Sequence, residues 1–191
     1  MLIVNGKLIT WGAENKILPD GWGLLIREGV IKKIALQEEL IRDYPDEERL
    51  DAEGQYVMPG NICAHTHFYG AFSRALGIPG DAPFNFTQIL DKLWWNLDKA
   101  LDEDGVRYSA LVCLVDAVKH GTTTLIDHHA SPNAIDGSLD IIAETINQAG
   151  LRASLCYEVT DRDGAEKASR AYRKTCASLN GLRRKTHRTP T

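Results

Sequence analysis

Beyond Pro59-Gly60 the sequence alternates strand-like and helix-like stretches, and successive strands joined through helices have to lie parallel. Ile62 to His67 reads as a strand. Phe86, Ile89, Leu90, Leu93, Trp94, Leu97 and Leu101 keep the i, i+3, i+4, i+7 spacing of an amphipathic helix. A second helix is predicted from about Asp104 to His120, stopped by Gly121. Thr122 to Asp127 is β-branched and strand-like. Ser138 is read as the cap of a helix ending at Gly150, and Leu151 to Val159 is the next strand. The order β, αα, β, α, β implies parallel βαβ units with right-handed crossovers. Three strands, four at most, fall short of a closed (β/α)8 barrel, which takes about 250 residues. The residues therefore describe either a small open α/β sheet or a chain that stops partway round a barrel.

The preceding residues follow another pattern. Leu2-Ile3-Val4 and Leu8-Ile9-Thr10 flank Asn5-Gly6-Lys7, and Trp22–Arg27 and Val30–Ile34 flank Glu28-Gly29, so two hairpins are predicted. Gln37 to Tyr44 allows one or two helical turns before Pro45. A third pairing is expected between Arg49–Asp51 and Gln55–Met58 across Ala52-Glu53-Gly54. Together these suggest a small antiparallel sheet or sandwich, thin for an independent core.

Composition narrows the function classes. With 43% hydrophobic and 25% charged residues in 191, the chain is neither disordered throughout nor a disulfide-dense mini-protein. The longest apolar run, Ala110 to Val115, is far shorter than the roughly 20 residues of a spanning helix. No secretory h-region is read in Leu2-Ile3-Val4, broken by Asn5-Gly6-Lys7. Cys63, Cys113, Cys156 and Cys176 form no Cys-x-x-Cys, so a reducing cytoplasm is the expected compartment. The net charge of −4 gives no sign of a nucleic-acid partner, yet it is unevenly spread. From Lys167 to Thr191 there are eight Lys or Arg and no acid, against 14 basic and 26 acidic residues before.

His65-Thr66-His67 carries the chemistry. Side chains at i and i+2 of a strand share a face, so both imidazoles can converge on one cation. Neutral imidazole suits zinc, iron, nickel or copper. The carboxyl end of a parallel strand, just after Pro-Gly, is where such folds place ligands. The tripeptide alone is weak, and its position is what strengthens it. By the same alternation Cys63 shares the histidine face, deeper along the strand, as a buried small hydrophobe.

Val57-Met-Pro-Gly-Asn-Ile-Cys-Ala-His-Thr-His67 resembles the "PG-hydrophobic-x-x-HxH" signature of the amidohydrolase superfamily. Further stretches are similar: Leu2-Ile-Val-Asn-Gly6, Gly29–Ile34, Ala64–Phe72, Leu93-Trp94-Trp95, and Gly121-Thr-Thr-Thr-Leu-Ile-Asp127 running on through Asn133. The likeness covers roughly residues 1–165 and points to the chlorohydrolase and aminohydrolase branch. It implies an α/β fold: a small β-sandwich segment (1–58), then a partial (β/α)8 TIM-type barrel with about three strands (59–165). It further implies that His65 and His67 are two ligands of a divalent metal, zinc foremost and iron second. In that family the metal brings the pKa of water toward neutrality, and hydroxide attacks a carbon bearing a nitrogen or halogen leaving group, commonly on a heterocycle. The remaining ligands, two His and an Asp, come from strands five, six and eight, which nothing here supplies. No catalytic acid or base is identified in this stretch.

His128, His129 and Tyr157, at the ends of the second and third strands, are the candidate substrate contacts, each with an equally ordinary role as a polar strand-end residue. Glu158 could join them or be a plain strand-end acid. Trp94 continues the helical stripe and reads as core, whereas Trp95 lies off it and is free to cover a pocket or a subunit contact. The loop from Gly70 to Pro83 is long enough for a lid or a surface connection. The expected partner is a small-molecule substrate, with no nucleic acid and no membrane, and intact relatives are expected to be homo-oligomers. Residues 166–191 read as an atypical basic tail, poorly packed beyond about 178, either a frame-disrupted end or a genuine arm. The chain alone is then expected to be inactive. The alternatives are a non-catalytic α/β binding module with a basic tail, and a cyclic-amidase (dihydropyrimidinase-like) relative, whose two-metal site needs a lysine not evident here.

Overall fold

The computed structural model describes residues 1–12, 14 and 16–186, with side chains as far as residue 176. It divides into two compact units, Met1–Pro59 and Gly60–Thr191.

In the first unit, β1 (Leu2–Val4), β3 (Trp22–Arg27), β4 (Val30–Leu36) and β5 (Arg49–Asp51) form one sheet, ordered β4-β3-β1-β5. β2 (Lys7–Leu8) and β6 (Tyr56–Val57) form another. The β3–β4 hairpin turns at Glu28-Gly29 with φ of 53° and 71°, the left-handed pair that a two-residue turn requires and glycine adopts without strain. The other two expected hairpins do not form. β1 runs parallel to β5 and β2 parallel to β6, so the turns at Asn5-Gly6 and Ala52-Glu53-Gly54 carry two neighbouring segments together from one sheet to the next. The sheets are therefore mixed or parallel, because β3, β4 and the helix α1 (Gln37–Asp43) intervene as a crossover. Leu2 and Leu40, both fully buried, join Val4, Leu25 and Ala35 in the core beneath α1.

The second unit is a three-stranded parallel sheet of β7 (Asn61–Thr66), β8 (Thr122–His129) and β9 (Arg152–Tyr157), in that order. A 3-10 turn, Phe68–Ser73, follows β7. Next comes a helical run of α2 (Phe86–Ile89), a π turn at Leu90–Trp94 and α3 (Trp95–Lys99). α4 (Glu103–Lys119) precedes β8, α5 (Ser138–Ala149) precedes β9, and α6 (Ala165–Thr186) comes last. Asp102 caps α4 by accepting the Gly105 N–H at 2.7 Å.

Phe68, Ala110, Leu114, Leu125, Leu139 and Ile142 form the helix-side core. On the opposite face Ile62 and Ile126 stay 61% and 41% exposed. Gly60 lies where β7 meets β8, and a Cβ there would stand 2.1 Å from Thr123 Cγ2, so the approach admits no side chain.

The segment read as a basic tail from residue 166 instead begins as the helix packed on β9. Tyr157 N–H donates to Thr175 Oγ1 at 3.1 Å, and Ala171 is buried. Lys167 and Arg170 reach Asn133 and Asp136 at 2.8 and 2.7 Å, and Lys174 pairs with Asp140. Two of its basic residues are thus met by acids, Arg170 by Asp136 in the loop before α5 and Lys174 by Asp140 in α5 itself. The expectation of poor packing beyond residue 178 falls outside the described side chains. No described helix is long and apolar enough to cross a membrane.

Candidate metal centre and its cavity

β7 pairs Cys63 with Leu125 and Thr66 with Asp127, three steps against two on β8. The extra residue is a bulge, which moves the side chains beyond it to the other face. Cys63 packs on the helix-side core, while His65 and His67 turn to the opposite face. The expectation that Cys63 shares the histidine face fails for this reason.

The two imidazoles meet. His65 Nε2 lies 3.1 Å from His67 Nε2, with the rings nearly perpendicular at 85°. His67 Nδ1 is 2.7 Å from the carbonyl of His128, which can only accept, so Nδ1 carries the hydrogen and Nε2 keeps its lone pair. This bond selects the tautomer a metal ligand needs. Phe68 N–H, next along the chain, donates to Asp127 Oδ1 at 2.8 Å and holds the turn beyond His67. Burial pushes the Asp127 carboxyl up to about 7, although that N–H pulls it back.

The donor set fits two ligands of a divalent cation. Among the described residues no group of three or more His, Cys, Asp or Glu is placed to hold one. A cavity of about 310 Å3 opens at the pair, with His128 on its wall. Burial lowers the His128 pKa, so its ring is neutral at pH 7.

Strand alternation separates the other candidates. His128 faces the cavity and His129, one residue on, is completely buried on the helix side. His129 Nε2 lies 2.9 Å from Ser131 Oγ, whose hydroxyl donates to Ala134 O at 2.9 Å. The ring is therefore the donor, and burial drives its pKa down to about 3. Tyr157, 5% exposed, packs edge-on to His129 and accepts the Ser131 N–H at 2.8 Å. His129 and Tyr157 hold the loop after β8 and do not line the cavity, whereas Glu158 does.

Of the other lining residues, the sequence allows Trp95 pocket cover as one of two roles, and the rest were not legible as such. Tyr69, Phe86 and Leu90 contribute to the wall, and Trp94 and Trp95 both reach it. The π turn at Leu90–Trp94 is the reason, since its wider winding breaks the 3.6-residue stripe and swings neighbouring side chains round. Asp98, 1% exposed, also borders the cavity and is paired with Arg162 at 2.5 Å. Burial raises its pKa, although the guanidinium opposes the shift. Nothing in an amphipathic helix marked Asp98 apart from its other polar residues, and its partner lies 64 residues away.

The sequence matches the amidohydrolase family over residues 56–188. It is 29% identical, over 189 residues, to a 5-methylthioadenosine/S-adenosylhomocysteine deaminase of Acetivibrio thermocellus, covering 95% of this chain and 40% of that protein. The E. coli guanine deaminase structure superposes with a TM-score of 0.74 at 17% identity, covering 94% of this chain and 43% of that one. A mutant atrazine chlorohydrolase from Arthrobacter aurescens TC1, complexed with zinc and atraton, gives 0.65 at 23% identity, covering 81% of this chain and 35% of that one. These two structures share the fold. The chain spans about two fifths of the length of the curated deaminase it matches.

Proposed function

The chain belongs to the amidohydrolase family, and on that premise we propose that it carries the metal-binding opening of a hydrolase that removes an amino or chloro substituent from a small heterocycle. One observation carries the reading: the 3.1 Å approach of His65 and His67 Nε2 at the end of a parallel strand, beside an aromatic-walled cavity. Relatives named as deaminases and a zinc-complexed chlorohydrolase support the leaving groups and zinc as the cation; iron is the second candidate from the chemistry of imidazole donors. In this reading residues 1–58 are part of a β-sandwich. Residues 59–165 supply the opening βα units of a (β/α)8 barrel, whose interior face would cover Ile62 and Ile126.

His65 and His67 would hold the cation, which when bound supplies Lewis acidity and hydroxide near neutral pH. The chain's own residues do the rest of the preparation. The His128 carbonyl keeps His67 Nε2 bare, and the Asp127–Phe68 bond fixes the turn beside it. Tyr69, Trp94 and Trp95 offer faces and edges for a flat ring and exclude water from it, and the neutral His128 can exchange a hydrogen bond with a ring substituent. A catalytic zinc takes about three protein ligands, so the described residues are assigned metal capture and ring binding, not turnover. The proposed partner is a small-molecule substrate, with neither nucleic acid nor membrane. The proposed compartment is the cytoplasm, in keeping with four free cysteines.

Zinc titration of the full chain by calorimetry tests the reading. One equivalent should be taken up and lost in the His65→Ala/His67→Ala double variant. No uptake by the unaltered chain would overturn it.

A further inference from the structure

Five charged side chains meet beside the cavity. Arg162 Nη2 lies 2.5 Å from Asp98 Oδ2, and Nη1 lies 3.4 Å from Oδ1 of the same carboxylate. Its Nε stands 3.3 Å from Glu158 Oε1 and 3.7 Å from Asp163 Oδ2, and Lys99 pairs with Asp163 at 3.0 Å. The guanidinium carbon sits 5.5 Å from the Trp95 ring centroid. Arg162, the one arginine beside the cavity among the described residues, has its fork closed by Asp98 and its Nε turned to carboxylates, so it has no bidentate face left for an incoming anion. Asp98 and Glu158 line the cavity wall, whereas Arg162, Lys99 and Asp163 stand behind it. The acids, with their cationic partners set behind them, are therefore what the cavity meets. The wall's other polar rings, His65, His67 and His128, are imidazoles.

We infer that this wall selects the charge of what the cavity accepts: a flat heterocycle whose substituent is neutral or cationic, and not one bearing a carboxylate or phosphate. Glu158 is the discriminating residue. Its side chain is 26% exposed and lies on the wall, whereas that of Asp98 is sealed at 2%. Arg162, four residues along, is a positioning residue that fixes the Glu158 side chain without itself reaching the ligand. A ligand carboxylate in this cavity would meet like charge, with the compensating guanidinium already enclosed. An ammonium substituent would instead gain a partly desolvated carboxylate partner.

The inference rests on the cavity being a heterocycle site, and one titration separates the two claims. The full chain, without added metal, is titrated calorimetrically with 9-(2-aminoethyl)adenine, 9-ethyladenine and 9-(carboxymethyl)adenine. The order expected is aminoethyl, ethyl, carboxymethyl, with the first about tenfold tighter than the last at low salt. In Glu158→Gln the spread should shrink to about twofold. Equal binding of all three, or a preference for the carboxylate, would overturn the charge selection and leave the heterocycle reading standing. An unchanged spread in Glu158→Gln would overturn the assignment to that residue. Binding of none would remove both claims together.

Discussion

His128 and His129 are neighbours on one strand, and the two faces of that strand treat them oppositely. On the cavity face, His65, His67 and His128 meet as polar rings with lone pairs and room for a ligand. On the helix face, His129 and Asp127 are completely enclosed, one as a hydrogen-bond donor and the other as a brace for the turn after His67. The difference teaches that a histidine cluster is not itself a site. The cavity face is arranged to change partners and the helix face is arranged to keep them.

The comparison breaks first, and most, if the helix-face histidine can be removed cheaply. His129→Ala should cost about 3 kcal/mol in urea denaturation, through a core void and a lost hydrogen bond, with zinc uptake per folded chain unchanged. The mirror substitution, His67→Ala or His65→Ala, should lower zinc affinity at least about a hundredfold, near 2.7 kcal/mol, while stability moves by less than about 0.5 kcal/mol. Loss of stability in the second pair, or of metal in the first, would dissolve the distinction.

The faces stay distinct only while β7 keeps its register against β8. Gly60→Ala places a methyl on Thr123 and should cost about 2 kcal/mol, weakening zinc uptake as well because the bulge and the His-x-His follow from that register. Unchanged thermal stability of that variant would count against the close approach.

A finer test uses protons. His129 is held neutral, its pKa about 3 against an ordinary 6.5, so its contribution is complete above 6.5 and fades as pH falls toward 3. Asp127 is raised to about 7 from 3.8, so its contribution is complete below 3.8 and fades as pH rises toward 7. Between 3.8 and 6.5 the two slopes oppose, each at most about 1.4 kcal/mol per pH unit. Urea denaturation across that window should show stability falling with pH in His129→Phe and rising with pH in Asp127→Asn. Identical slopes in the two variants would contradict the burial of one or the other.

Much of the second unit was readable along the chain. The 17 residues of α4 follow an Asp cap and stop before Gly121, and β8 is a β-branched run, because caps and short-range periodicity act locally. His65 and His67 were legible as a pair because both lie beyond the bulge, whereas the same i, i+2 spacing between Cys63 and His65 does not survive it. The first unit was misread at Asn5-Gly6 and at Ala52-Glu53-Gly54. Turn chemistry says that the chain bends, but β1 found its partner in β5 and β2 in β6, tens of residues away.

Residue chemistry and local period thus set where helices and strands start, and which two imidazoles could face one ion. Which face became a cavity was settled by contacts the chain cannot express locally. An extra residue in β7 parts Cys63 from the histidines, a π turn brings Trp94 and Trp95 to one wall, and Asp98 meets Arg162 across 64 positions. The physical reason is that side-chain direction on a strand has a period of two and on a helix one of 3.6. A single inserted residue or widened turn therefore re-aims everything beyond it, and only long-range packing decides whether that insertion is stable.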